Sequence, residues 1–443
     1  MGPTVLLEGG PREMGRAYGG LVAPLLRDRV RRLGERAGAR GWTRTRLAER
    51  ATRFRGFVER IAPEWLDEAE GVAQEAGIEP VELLILNALP PGFWSSESDE
   101  CTAWLIAGRA SATGDTILHK NRDELNEPQD FHVRRVGDDI QVFASRDIGN
   151  LGFAHFHSDV ALAGGNNTGS PVAESEQRPC GLTCCHLLRL VAERANSCDE
   201  AVAVLEEAVA KEVAGGSGGW RGMILMFAEP TRGMVVEMTS RRLASQAVRN
   251  GVLVRSNHFR IPAMAEVAAE PADQNNVLRY DRACSVLARG RRAVADCVRL
   301  SRDHRHGPDS ICSDDAEHFW MTVSACTHVV HGENADPLAH TRASMGNPHN
   351  TLSIPVPRAI EGLPAECVSG AFHNLSRALY ARCGLGDHLA QAQVEHEAAM
   401  AVEFASIRDA VRFRPPATLR PQLTRFVARC VGRVRSLLEG LTG

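Results

Sequence analysis

The chain has 443 residues, enough to bury a sizeable core, with 44% apolar and 24% charged residues and a net charge of −4, the balance of an ordinary globular protein. No long run of one sign occurs, which argues against nucleic-acid binding and against a polybasic membrane contact. No apolar stretch approaches the roughly 20 residues of a membrane span, and Met1-Gly2-Pro3-Thr4-Val5 lacks a charged region followed by an apolar one, so the expected compartment is the cytoplasm.

Residues 3–8 read as a short extended run, and Gly9-Gly10-Pro11 turns into helical patterns that continue to about residue 88. Pro63 with Glu64, Asp67 and Glu68 marks a helix start, Gly77 its end, and Val81 to Leu86 a further short helix. After Pro90-Pro91 the period changes. Thr102 to Ala107 and Thr116 to His119 flank a turn at Thr113-Gly114-Asp115 and predict a hairpin. Val133 to Val136, Ile140 to Ala144 and Val160 to Ala163 continue the strand signal. Leu182 to Ala195 predicts a helix, and Ser197 with Glu200 caps the next one, to about Lys211. Strands are expected at 222–228, 234–238, 252–255, 322–330 and 338–343, a helix at 275–289, a polar loop at 303–315, and helices again from about 370.

Consecutive strands joined by turns favour antiparallel sheets. The order of elements predicts an α+β fold with helices covering sheet faces, in three parts: a helical segment 1–100, a core 101–360, and a helical extension 361–443. The extension either covers the core or forms a surface for a homo-oligomer.

Cys101 sits where the polar stretch Ser95 to Glu100 enters an apolar strand. A thiol there is carried on a rigid element at its accessible end, and a thiolate is a strong nucleophile when a base or positive charge lowers its pKa. The other 11 cysteines are expected as small buried residues, since the chain shows no disulfide framework. Cys180, Cys184, Cys185 and His186 lack a second ligand pair, and Asp303-His304-Arg305-His306 with Cys312 reads as a polar loop, so no metal is expected. His328, His331, His340 and His349 are scattered along strands and loops. Gly215 to Gly219 is not followed by Lys-Ser/Thr, and no nucleotide fingerprint occurs.

The pattern Cys101-Thr102, then Lys120-Asn121-Arg122-Asp123, resembles the cysteine N-terminal nucleophile hydrolases. It is most similar to the acyl-coenzyme A:6-aminopenicillanate acyltransferase family, the C45 peptidases, with choloylglycine hydrolases and penicillin V acylases as more distant relatives. Further matches follow in order: Gly10 to Gly19, Glu68 to Ala73, Gly164-Gly165-Asn166-Asn167-Thr168-Gly169, Ser256-Asn257-His258-Phe259, and Asp303-His304 with Ser310-Ile311-Cys312.

The resemblance implies a four-layer αββα sandwich and self-cleavage between Glu100 and Cys101, with the freed α-amine of Cys101 as base. An α-amine has a reference pKa of about 8. It also sits on the nucleophile's own residue, so little entropy is spent on positioning. This chain carries Glu100 where family precursors usually carry Gly. By resemblance Asp123 orients the amine, Asn257 is the oxyanion donor, Asn166 a second donor or a substrate contact, and Lys120 lies beside the thiolate. Arg122 and Arg279 are expected at the substrate, with Arg282, one turn on, competing with Arg279. The implied activity is transfer or hydrolysis of an acyl group from a small-molecule amide or thioester to an amine or water, with no cofactor, and the family alone suggests a place in secondary metabolism. Two other readings stay open: an uncleaved enzyme using Cys101 with a His base, and a binding protein on the same fold.

Overall fold

The computed structural model describes residues 3–89, 93, 101–137, 140–217, 219–315, 320–331, 339–411 and 418–442. A two-residue strand, β1 (Thr4–Val5), leads into four helices: α1 (Pro11–Ala39), α2 (Arg44–Ile61), α3 (Glu64–Ala76) and α4 (Pro80–Asn87). α1 begins on Pro11, whose missing N–H is no loss in a first turn, and Glu13 accepts from the Gly10 N–H at 2.8 Å. α3 ends at Gly77, which takes φ +69°, a left-handed conformation that favours glycine.

The glycines at 15 and 71 have a packing cause. A Cβ on Gly15 would lie 2.1 Å from the Glu68 carbonyl oxygen, and one on Gly71 would lie 2.2 Å from that of Arg12. The backbones of α1 and α3 therefore touch, which only glycine permits. Glu68, on that contact, is 1% exposed and accepts from Arg134 at 2.8 Å and Arg189 at 2.5 Å. Burial pushes its carboxyl up, but Arg134, Arg189 and Arg146 outweigh that and hold it well below the usual carboxylate range. Beside it, Tyr18 donates to Asp130 at 2.6 Å, and Asp130 also meets Arg146 at 3.1 Å.

The strands follow as β2 (Cys101–Ala107), β3 (Thr116–Leu125), β4 (Gln129–Val136), β5 (Ile140–Asp147), β6 (His155–Ser158) and β7 (Ala163–Pro171). Then come α5 (Cys184–Arg194), α6 (Cys198–Ala210), β8 (Arg221–Glu229), β9 (Arg232–Met238), β10 (Leu243–Val248), β11 (Gly251–Arg255), α7 (Pro262–Ala265), α8 (Gln274–Leu287) and α9 (Val294–Leu300). The rest comprises β12 (Asp314–Asp315), β13 (Trp320–Val330), β14 (His340–Ser344), β15 (Ser353–Pro357), β16 (Leu363–Pro364), α10 (Ala365–Val368), α11 (Ala371–Cys383), α12 (Ala390–Val411) and α13 (Arg420–Thr442).

Two antiparallel sheets face each other. The first runs β10-β9-β8-β7-β6-β5-β4, and the second β11-β2-β3-β13-β14-β15, with β12 on β13. Ala103, Leu105 and Leu118 of the second sheet meet Ala163, Ile224 and Met226 of the first between them. On the far side of the first sheet, Met223, Leu225 and Val236 pack with Leu187 of α5, Leu205 of α6 and the apolar residues of α1 to α4. On the far side of the second, Trp104, Ile106 and Val254 pack with Ala283 and Leu287 of α8 and Cys297 of α9. Ile354 and Val356 of β15 pack with Phe404 of α12 and Phe426 and Val427 of α13. The fold is thus α+β with four layers, as expected. The C-terminal helices cover the core, although Val394 and Val402 of α12 remain exposed. Among the described residues, no helix is long and apolar enough to cross a membrane.

Three expectations change. The run 160–163 is not a strand: Ala161 turns at φ +62°, between β6 and β7. Gly164 to Gly169, compatible by its glycines with a tight turn, lies within β7 and pairs with β8 from Ala163 to Thr168. β10 went unforeseen because it is a largely exposed edge strand whose residues alternate weakly.

The glycine contact predicts opposite outcomes for one substitution at two helical sites. Gly71→Ala forces α1 and α3 apart and should cost about 1–3 kcal/mol. Gly34→Ala in α1, where a Cβ meets nothing within 4 Å, should stabilise by up to about 1 kcal/mol. Thermal denaturation of the two variants checks the pair.

Candidate active site

The site is built on the hairpin of β2 and β3, in which Cys101 pairs with Arg122 and Ala103 with Lys120. Strand alternation puts Cys101, Ala103 and Leu105 on the face towards the first sheet, and Lys120 and Arg122 on the same face of β3. Cys101 is 7% exposed and Lys120 1%. The Lys120 Nζ lies 2.9 Å from Cys101 Sγ and donates across the sandwich to the Asn166 carbonyl and, at 3.1 Å, to Asn167 Oδ1. The Asp123 carbonyl is 3.9 Å from Sγ. Burial raises the thiol pKa above its ordinary value; Lys120 works against the rise and the Asp123 charge adds to it. Left to itself, the thiol is held protonated at neutral pH.

The Cys101 backbone is held as firmly as its side chain. Its N–H donates to Asn257 Oδ1 at 2.7 Å. Arg279 Nη1 donates to the Cys101 carbonyl at 2.6 Å and to Thr102 Oγ1 at 3.1 Å, and its Nη2 donates to Asn257 Oδ1 at 3.1 Å. Asn276 Oδ1 accepts from the Asn257 N–H at 2.8 Å and from Arg279 at 3.0 Å. Arg279, fully buried in α8, therefore ties β2 to the end of β11. Of the two arginines expected to compete for a place at the substrate, Arg279 contacts Cys101, while Arg282 points elsewhere, to Asp303 at 2.5 Å.

Three expected roles shift. Asn257 faces two donors, the Cys101 N–H and Arg279, so its oxygen must point at Cys101 and its amide nitrogen away, donating to the Thr168 carbonyl at 2.9 Å. It meets Cys101 as an acceptor, not as the donor expected of an oxyanion contact. Asn166 faces outward: it pairs with Leu225, which packs in the outer core, and its amide donates to the Phe153 carbonyl at 2.8 Å. Its neighbour Asn167 faces the inter-sheet space with Ile224, and only the period of two, once a strand is known here, distinguishes it from Asn166. Arg122 is spent on structure rather than substrate, bonding Gln129 and, at 2.7 Å, Asp147 of the opposite sheet.

The Asp123 side chain lies on the other face of β3, where Thr322 Oγ1 donates to it at 2.5 Å. A bulge in β13 between Thr322 and Ser324 makes that pairing possible. On the same outer face the Asn121 amide donates to the Ser301 and Ile311 carbonyls at 2.8 and 2.7 Å, which anchors the late motif around residues 301–312. The expected cleavage residue Glu100 lies outside the described residues. Among the described residues, no histidine is hydrogen-bonded to Cys101 Sγ. His186 is also spoken for, with its nitrogens at Thr183 Oγ1 (2.9 Å) and Asn87 Oδ1 (3.1 Å). A cavity of about 1000 Å³ lies on the far side of the second sheet, between α9 and α12; it includes His304, His349 and Glu397 but not Cys101.

Comparison with known proteins finds a family match over residues 166–326, to the acyl-coenzyme A:6-aminopenicillanic acid acyl-transferases. Among solved structures, a mutant conjugated bile acid hydrolase from Clostridium perfringens aligns at 11% identity and TM-score 0.32, over 55% of this chain and 89% of its own. A Caenorhabditis elegans N-acylethanolamine-hydrolyzing acid amidase ortholog aligns at 15% and TM-score 0.34, over 54% and 95%. A search of curated proteins finds no match. The family match covers Asn166, Asn257 and Arg279 and begins after Cys101. Over those residues it bears out the likeness read from the motifs.

The contact between Lys120 and Sγ predicts a measurable change in thiol chemistry. Lys120→Met removes the cation that opposes burial. The thiol pKa then rises further and the thiolate fraction falls, so alkylation of Cys101 by iodoacetamide at pH 7, followed by peptide mass spectrometry, should be slower than in the parent chain.

Proposed function

We propose, from the family likeness and the Cys101 site together, that the chain cleaves itself ahead of Cys101 and then transfers or hydrolyses an acyl group of an amide or thioester through an acyl-enzyme on Cys101 Sγ. The observation that carries this reading is the double hold on one residue: Lys120 at its sulfur and Asn257 at its nitrogen. A surface cysteine needs neither.

In cleavage, Sγ attacks the Glu100 carbonyl carbon, the C–N bond breaks as nitrogen takes a proton, and water hydrolyses the resulting ester of sulfur. Arg279, on the Cys101 carbonyl, keeps the new chain end in place while its peptide bond is lost. In turnover, the neutral α-amine takes the thiol proton, sulfur attacks the substrate carbonyl, and the leaving amine or thiol departs with a proton. Water or an acceptor amine then releases the acyl group. Asn257 Oδ1 accepts from the amine and so aims its lone pair. The Asp123 carboxylate, whose charge already acts on the cysteine, stabilises the ammonium formed when the proton arrives. Lys120 offsets the charge on sulfur.

Intact-mass analysis under denaturing conditions should give two fragments meeting between Glu100 and Cys101, and Cys101→Ala should give one uncut, inactive chain. A chain that stays whole yet hydrolyses amides would defeat the amine mechanism and favour a side-chain base. The pH profile carries a sign. The amine works only when neutral, and its reference pKa is about 8; a neighbouring cation lowers that value and the Asp123 carboxylate raises it. Activity should therefore rise with pH through the amine's titration, level off above it, and fall away in acid.

A further inference from the structure

Between the sheets, next to Lys120 but outside the proposed mechanism, lies a group of buried side chains that apolar packing does not explain. On β13, Cys326 pairs with Lys120 and His328 with Leu118, so both face inward beside the inward residues of β3. From the opposite sheet, β6 contributes His155. One potential ligand atom from each of His155, Cys326 and His328 lies within 4.8 Å of the other two, and all three residues are fully buried.

The hydrogen bonds of the two rings are incomplete. His328 Nδ1 meets Thr341 Oγ1 at 2.8 Å and His155 Nε2 meets Ser324 Oγ at 3.4 Å, while His328 Nε2 and His155 Nδ1 have no partner. Where such a hydroxyl accepts the N–H of one ring nitrogen, the other nitrogen carries a free lone pair, the arrangement that hydrogen-bond partners impose on metal-binding histidines.

We propose that His155, Cys326 and His328 form a metal site for a thiolate-binding divalent ion of the zinc type, joining the two sheets beside the nucleophile's lysine. The donor set selects the class of metal. Two imidazoles and one thiolate suit zinc and its cobalt substitute and leave a fourth tetrahedral position. His157, whose ring centroid is 5.8 Å from that of His328 and whose Nε2 also has no partner, is the neighbour best placed to fill it. The Lys120 charge opposes any cation held by charge alone, which excludes the hard, oxygen-seeking ions. On binding, Cys326 gives up its thiol proton to solvent and the sulfur–metal bond forms; no oxidation or reduction is involved.

The test is titration of the metal-freed full chain with cobalt(II) and, separately, zinc(II), with metal counted after gel filtration. The expected result is one ion retained per chain, a sulfur-to-cobalt charge-transfer band in the near ultraviolet, and a higher melting temperature. The band should vanish in Cys326→Ser, and retention should fall at least tenfold in His328→Gln, each checked for native circular dichroism. Absence of the band and of retained metal in the parent chain would overturn the proposal whatever the variants do. So would a band that survives Cys326→Ser, since it would come from another of the cysteines.

Discussion

A buried amine spans the two sheets. Lys120 rises from β3 and ends among Cys101 of its own sheet and the Asn166 and Asn167 groups of the other. Neither sheet alone offers enough acceptors to hold a side chain this buried, so the spacing of the layers at this point is set by the reach of one lysine. Gly165 belongs to the same constraint: a Cβ there would lie 3.3 Å from the lysine's Cδ. The position of the sulfur follows from the position of that amine, and the arginines of the region, Arg122 and Arg279, serve to keep the strands around it in register.

Much of this was legible in the sequence. The change from helical to alternating pattern before Cys101, the hairpin of 102–107 with 116–119, the helices after residue 182 and the helical C-terminal part each follow from local period and capping, and each occurs; β3 runs on through Lys120 to Leu125. The glycine-spaced element at 10–19 was legible only as a likeness; its cause, backbone contact of α1 with α3, needs both helices at once. Arg279 could be named but not separated from Arg282, because one helical turn changes the partner without changing the residue type.

What the sequence withheld is the direction of short polar side chains. Asn166 and Asn167 are adjacent and chemically identical, and only the pairing of β7 with β8 decides which faces the lysine. Asn257 has a donor end and an acceptor end, and which end meets the nucleophile depends on Arg279, 22 residues later in the chain. His155, Cys326 and His328 were scattered residues until two sheets were laid face to face. These are facts of register, and register is a property of pairs of strands.

The contact of α1 with α3, and Glu68 among three arginines, has a further consequence. Within the residues before Cys101 the glycine contact holds α1 to α3, and the buried cluster of Glu68 with Arg134, Arg146 and Arg189 fastens them to the first sheet and α5, with no covalent help from the peptide bond at residue 100. If that bond is cut, the halves stay together as a heterodimer, but the molecularity of folding changes. The uncut chain folds as one body, independent of concentration, whereas the cut protein, once unfolded, regains its structure only when two chains meet. Its stability then has the units of a dissociation constant.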